Sequence, residues 1–460
     1  MNSQSLSNFS EAELLNQVQI ALKTRNYQQL TIIYENLINL ELNNYSYYWY
    51  LGLFLLLQGL TVEAQTTWLM AMIDGEPSQV EVWTAELVEI LETEANHQDT
   101  KKDISLVWLI RQQIRELLPT AIDNLLYLCF LSIELQTYTT SELEDLGIIE
   151  LLESQPNLEV STTTLLINLV RAVLNYAPLY DSSLKLVEIA APCIKGEEQK
   201  SLFLGVIESS MAEIGVARGY YAVAIPLGEI GISVNPQFVG ILFHLTNFYQ
   251  NIGKFDEGIK FACQVYPLLS SLPDQIYGKI LIVRGFMGAS SYWQEASNAN
   301  DEAKELITTL LTEGEIIGEN KLGALASSTF FLPYFKDQPR DIRKFHNQMA
   351  ELCCVNIRRY YQQLITNFQE LHEQRKARNQ DSIKIDQPLR IGYISHCFKT
   401  HSVGWLARWI FEHADLEKFE IYTYMACCDP VNNPLHEWYL NKIPKYFKSN
   451  IVLELAEKIS

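Results

Sequence analysis

A mostly α-helical chain, built as a repeat solenoid and closed by a partial α/β lobe of βαβ type, is the fold class that three observations predict. Amphipathic runs of 3.6-residue period, punctuated by proline, fill the first 388 residues. Apolar and small residues recur 34 positions apart at two separate places in that stretch. From Leu389 the pattern changes to two short apolar runs separated by one helical run.

The helical part opens at Ser10-Glu-Ala-Glu13, which has the form of a capping box. Tyr48, Leu51, Gly52, Leu55, Ala64, Trp68 and Ala71 fall at the spacings of the tetratricopeptide pattern, two antiparallel helices per unit. Leu30, Tyr34 and Leu37 stand 34 residues before the last three, so 11–44 and 45–78 read as consecutive repeats. Gly219, Ala224 and Pro236 mark a later unit: a turn glycine, a small helix-crossing residue and a terminal proline. Gly253 and Gly258 lie 34 residues beyond the first two. A small residue at the crossing lets two helices approach, while Leu and Tyr fill the groove between neighbouring pairs.

Between these places, residues 79–204 keep helical periodicity and lose the 34-residue phase, with Pro119, Pro156, Pro178 and Pro192 as breaks. Residues 273–316 read as a further, longer pair, so the repeat array is expected over 1–318. A connector of residues 319–388 follows. It contains the aromatic turn Phe330-Phe-Leu-Pro-Tyr-Phe335, one long helix from about Ile342 to Gln374, and a polar, basic linker from Arg375 to Pro388.

The lobe, 389–460, begins with Leu389-Arg-Ile-Gly-Tyr-Ile394, a short apolar run that reads as a parallel strand. A loop from Ser395 to His401 leads to a helix with Val403, Leu406, Ala407 and Ile410 on one side. A second strand is expected over Phe419–Met425. Strand, crossover helix and strand form the smallest piece of a Rossmann-like nucleotide-binding domain. The loop holds neither GxGxxG nor a Walker motif. A helix beginning near Ser402 directs its free N–H groups and positive dipole end at the loop, a place suited to a diphosphate. His401 at that point reads in two ways: as a donor to a phosphate or sugar oxygen, or as a helix cap.

Charge and cysteines narrow the function classes. The net charge is −20, and residues from Leu389 onward hold eight basic and eight acidic side chains, so the whole excess of acid lies before them. That balance argues against a nucleic-acid partner, which needs a basic stripe. Eight scattered cysteines without CxxC spacing indicate neither a zinc site nor a disulfide framework, as in a reduced, cytoplasmic protein. His396, Cys397 and His401 share one loop without a fourth ligand at metal-site spacing, so no metal is expected. The N-terminus lacks a basic start and an apolar core of the secretory kind, and the apolar runs are too short to span a bilayer, so no membrane association is expected.

Leu389-Arg-Ile-Gly-Tyr-Ile-Ser395, Phe398, His401 and the later Lys418-Phe-Glu-Ile-Tyr-Thr-Tyr424 resemble the start of the catalytic region of the O-linked N-acetylglucosamine transferase and SPINDLY family, where a repeat array leads into such a strand. The resemblance implies an inverting, metal-independent glycosyltransferase. It would move a sugar, expected to be N-acetylglucosamine, from a nucleotide diphosphate to serine or threonine of proteins. The repeats would select those acceptor proteins or peptides. It places His401 beside the donor's pyrophosphate, as the single catalytic residue carried over, with the nucleotide sugar as substrate and no cofactor. Cys397 stands where the family has Asp, and His396 and Lys399 also depart from the common wording. The resemblance covers 389–460, an incomplete N-terminal lobe. It therefore implies a fragment or split enzyme, inactive alone unless a separate polypeptide supplies the second lobe with the donors that stabilise a leaving diphosphate. The alternative is a non-catalytic repeat scaffold that binds proteins or peptides.

Overall fold

A computed structural model describes residues 10–314, 316–379, 388–426, 433–443, 445–449 and 452–459. The linker positions 380–387 and the pair Cys427 and Cys428 lie outside the described residues. The chain forms two compact units, Met1–Thr312 with Ser328–Pro339, and Glu313–Ser327 with Arg340–Ser460.

The first unit is a succession of antiparallel helix pairs, beginning Glu11–Lys23 with Tyr27–Leu40, Tyr45–Leu56 with Thr61–Met72, and Pro77–Thr100 with Ile104–Leu117. Helices pack on the next in sequence, and several also pack on the next but one, which is how a solenoid buries faces that no single pair can cover. The capping box forms: the Ser10 amide donates to Glu13 Oε2 at 2.8 Å.

One turn geometry recurs between the helices of a pair. Arg25, Gly59, Lys102 and Gly253 take φ of 53°, 82°, 60° and 80°. The amide that follows each bonds back to a carbonyl five residues earlier: Asn26 to Ala21, Leu60 to Leu55, Asp103 to Gln98 and Lys254 to Tyr249, all at 2.9–3.1 Å. This is the Schellman closure, in which a left-handed residue lets the chain leave one helix and satisfy its last carbonyls. Five residues after each turn residue comes a buried crossing position: Leu30, Ala64, Val107 and Gly258. Gly219, at φ 78°, and the buried Ala224 repeat the spacing. The two repeats at 11–78 and the later glycine pairs therefore stand where the 34-residue phase puts them. Residues 77–117 form a third pair of the same kind. Its turn carries Lys102 in place of glycine and its first helix runs 24 residues, which hides it from a residue-type repeat.

Close approach is built with glycine where helices cross. A Cβ on Gly52 would lie 2.1 Å from Trp68 Nε1, the nitrogen that donates to the Trp49 carbonyl at 3.2 Å. Further along, the helices Ile122–Glu134, Val160–Tyr176, Asp181–Ala190 and Glu197–Met211 share one core with the later pairs, from Leu125 to Leu269. Two short helices, Glu142–Asp145 and Ile148–Ser154, and a π-helical turn at Ala212–Ala217 interrupt the regular spacing. The aromatic turn Phe330–Phe335 returns to this unit: Phe331 and Phe335 pack against the cluster of Ala262, Ile282, Val283 and Ala299.

In the second unit the expected single helix is two, Pro339–Tyr360 and Gln362–Asn379. The break falls beside two anchored tyrosines. Tyr360 donates to the Ile317 carbonyl at 2.8 Å, and Tyr361 hydrogen-bonds Glu319. Helix also continues through 375–379, where the polar composition suggested linker.

The lobe is a three-stranded parallel sheet of order β1-β2-β3, with β1 at Leu389–Ser395, β2 at Phe419–Met425 and β3 at Tyr446–Lys448. Leu389 pairs with Phe419 and Ser395 with Met425, in register along the full length of both strands. The two longer strands lie where their apolar patterns place them. The three-residue β3 is too short to give a pattern of its own. Phe398, Phe411, Ile421, Met425, Leu435 and Tyr439 form the core between the sheet, the helix Ser402–Glu412 and the helix Pro434–Lys442. Among the described residues no helix is long and apolar enough to cross a membrane.

Candidate functional site

β1 delivers the loop 396–401 at its C-terminal end, the side on which open α/β sheets bind ligands. Ser395 Oγ accepts the Cys397 amide at 3.0 Å and turns the chain out of the strand. Phe398 then enters the core, 3% exposed. The helix Ser402–Glu412 follows with His401 at its N-cap, in extended conformation.

His401 is exposed, and its Nδ1 accepts the Val403 amide at 3.2 Å. A neutral imidazole that accepts at Nδ1 carries its proton on Nε2. The ring therefore serves as a cap through one nitrogen and presents an N–H donor through the other. Of the two sequence readings of this residue, the helix cap is the one this contact forms. The donor sits at a helix N-terminus, where backbone dipoles favour an anion.

The rest of the loop is held by the helix Pro434–Lys442, which sequence reasoning left out. Asn433 Oδ1 accepts from the Thr400 amide and hydroxyl, each at 3.0 Å, and from the His436 amide at 3.1 Å. His436, 3% exposed, contacts the Phe398 carbonyl through Nδ1 at 2.8 Å. Tyr439, fully buried, donates its hydroxyl to the Gly404 carbonyl. Asn433-Pro434, a helix cap followed by proline at the first helical position, is the sequence signal that marks this element. Gly404 is required sterically: a Cβ there would meet the Lys399 carbonyl oxygen at 2.3 Å and that of Cys397 at 2.5 Å. The turn is thus rigid without a glycine-rich loop.

Cys397 is 3% exposed and its Sγ lies 3.2 Å from His396 Nε2. The rings of His396 and His401 are 6.3 Å apart. Among the described residues no group of three or more His, Cys, Asp or Glu is placed to hold a metal ion. A cavity of about 480 Å³ in this lobe, lined by Arg390, Leu416, Phe419 and Lys445, opens at the start of β1 and β2, the opposite end of the strands from His401.

The surface around the site is unusually apolar. Of the helix side that the sequence marks as apolar, Val403, Leu406 and Ile410 are 48%, 75% and 49% exposed, with Trp405 and Trp409 beside them. The helix reaches the core through Gly404 and Phe411 and, of that side, through Ala407. Among the described residues β1 pairs on one side only, and Leu389 and Ile394 are exposed along it. Parallel sheets are normally covered on both faces, whereas here the edge of β1 and the helix stripe are each uncovered among the described residues.

No protein-family model and no curated protein sequence matches the chain. Among solved structures it is similar to a mutant of the Thermobaculum terrenum O-GlcNAc transferase, with TM-score 0.39 and 15% identity over 56% of this chain. It is also similar to the P58(IPK) TPR domain, with TM-score 0.21 and 12% identity over 74% of this chain and 97% of that one. The chain spans 44% of the transferase's length.

Proposed function

We propose that this chain is a protein O-glycosyltransferase-like module, whose repeat array recruits a polypeptide acceptor and whose lobe supplies the first part of a nucleotide-sugar site. The observation that supports this reading is His401 capping the Ser402–Glu412 helix through Nδ1, with its Nε2–H directed away from that contact at the C-terminal end of β1. In this role His401 is a hydrogen-bond donor to the donor's pyrophosphate rather than a base, because the nitrogen that would accept a proton is already engaged. Negative charge that develops on a leaving diphosphate gains from such fixed donors. One histidine and one helix end are too few to stabilise it alone, so the chain by itself is expected not to transfer sugar.

The open edge of β1 and the stripe Val403–Leu406–Ile410 are where further strands and a covering layer would complete the lobe. The experiment is to add UDP-N-acetylglucosamine, UDP and GDP to the full chain and follow binding calorimetrically, in wild type and in His401→Gln. Weak binding that depends on His401 supports the reading. Binding that is absent at several millimolar, or indifferent to His401→Gln, overturns it.

A second reading, a non-catalytic scaffold that binds polypeptides, is favoured by a different observation: the first unit offers a groove of about 980 Å³ at its N-terminal end. Retained polypeptide binding with no nucleotide binding at His401 would select it.

A further inference from the structure

The groove at the start of the repeat array has a chemistry opposite to that of the chain as a whole. Its floor is aromatic: Tyr34 lies 5.4 Å from Phe54 and 5.6 Å from Tyr50, and Tyr27 stacks on Phe54 at 6.4 Å, ring centre to ring centre. Leu15 and Leu22, 40% and 42% exposed, form an apolar wall. Its rim is basic. Lys23, Arg25 and Lys101 line it, and among the described residues none of them has a carboxylate within ion-pair distance. Among the described residues the single carboxylate in the lining, Glu94, is engaged by the side chains of Gln98 and His97. The phenol oxygens of Tyr27, Tyr34 and Tyr50 have no hydrogen-bond partner among the described residues, so three neutral donors are available in the groove.

Unsatisfied donors and unpaired cations around an apolar floor call for a ligand rich in acceptors and negative charge, carrying an apolar side chain. The net charge of −20 does not prevent this. At physiological ionic strength exposed charges beyond about 8 Å are largely screened, so the nearby lysines and arginine set the local field.

We infer that this groove binds an extended polypeptide segment in which acidic residues flank an aromatic or large aliphatic side chain. The apolar side chain packs on Tyr34, Tyr50 and Phe54, the acidic residues meet Lys23, Arg25 and Lys101, and backbone carbonyls accept from the phenols. The inference rests on the reading of the array as a polypeptide-selecting surface, and it specifies the partner's chemistry.

The test uses the full chain without nucleotide and a fluorescein-labelled probe peptide, Asp-Glu-Leu-Asp-Glu-Phe-Asp-Glu, with a second probe carrying Lys at every acidic position. Anisotropy is expected to show at least tenfold tighter binding of the acidic probe, weakening as salt rises from 50 to 500 mM. The double variant Lys23→Glu with Lys101→Glu should lose at least tenfold, and Tyr50→Ala, which removes floor without charge, should lose a comparable factor with no change in salt dependence. Circular dichroism confirms that each variant is folded. No binding of the acidic probe, equal binding of the basic one, or an unchanged affinity in the double variant overturns the inference. So does sedimentation showing that the groove is filled by a second copy of the chain. Because no nucleotide is present, failure of the His401 site leaves this result unaffected, and the converse also holds.

Discussion

His401 Nδ1 accepts the Val403 amide at 3.2 Å, and that contact decides which nitrogen of the ring is left to meet a ligand. Substitution can separate this structural task from the chemical one proposed for the same side chain. Asparagine caps helices about as well as any residue, whereas alanine costs roughly 1 kcal/mol at an N-cap. His401→Asn is expected to keep the stability of the chain, and His401→Ala to lose about 1 kcal/mol in urea unfolding. Nucleotide-diphosphate binding should fall in both. Loss of binding in the alanine variant alone would make His401 a cap and nothing more.

Gly404 should tolerate no side chain. A Cβ there meets two backbone carbonyl oxygens closer than van der Waals contact allows, so backbone must move. Gly404→Ala is expected to destabilise by about 1–3 kcal/mol. Limited proteolysis of the full chain should show earlier cleavage within 395–401. Unchanged cleavage would mean the loop is not held by this approach.

Tyr439 gives the lobe an alkaline limit. Burial pushes its phenol up to about 12, against an ordinary value near 10. The neutral form is the one favoured by folding, so this contribution is fully present below pH 10 and is lost as pH rises through 12. The buried hydroxyl bonds to the Gly404 carbonyl. Tyr439→Phe should lower stability at pH 8 by about 1 kcal/mol, the worth of one buried hydrogen bond. The gap between the two proteins should narrow between pH 10 and 12. A gap that widens with pH would contradict the assignment.

The turn residues of the array lead to a prediction in the stabilising direction. Arg25 and Lys102 hold φ of 53° and 60°, where a side chain costs roughly 1–2 kcal/mol and glycine costs little beyond its greater freedom when unfolded. Arg25→Gly and Lys102→Gly should raise stability by up to about 1 kcal/mol in thermal unfolding. Gly59→Ala, at φ 82°, should lower it by about the same amount. The opposite signs would show that side-chain contacts of Arg25 and Lys102 outweigh backbone strain.

The same turns explain how much of the fold could be read in advance. Where glycine occupies the left-handed position and a small residue the crossing, as at Gly59 and Ala64 or Gly253 and Gly258, the repeat is legible in residue types. Where Lys102 and Val107 serve the same geometry, only the backbone preserves the period. In the lobe, the strands Leu389–Ser395 and Phe419–Met425 were legible because their apolar runs are bounded by turn residues. The orientation of the intervening helix was not. Its apolar stripe satisfies the periodicity of a core-facing helix, yet Leu406 is 75% exposed, because periodicity tells that a face is apolar and not what covers it. Asn433, His436 and Tyr439, which hold the loop, act from more than 30 residues away, a distance at which local pattern carries no pairing information.

His401 is proposed to offer an Nε2–H to a diphosphate at the end of β1. Imidazole-¹⁵N-labelled chain, with the His401 signals assigned by their loss in His401→Gln, can be titrated with UDP-N-acetylglucosamine and observed by long-range proton–nitrogen correlation. In the free chain Nε2 should carry the proton while Nδ1 accepts the Val403 amide, and that N–H should move downfield and saturate with ligand. A ring protonated on Nδ1, or His401 signals that stay put while the nucleotide binds elsewhere, would contradict it.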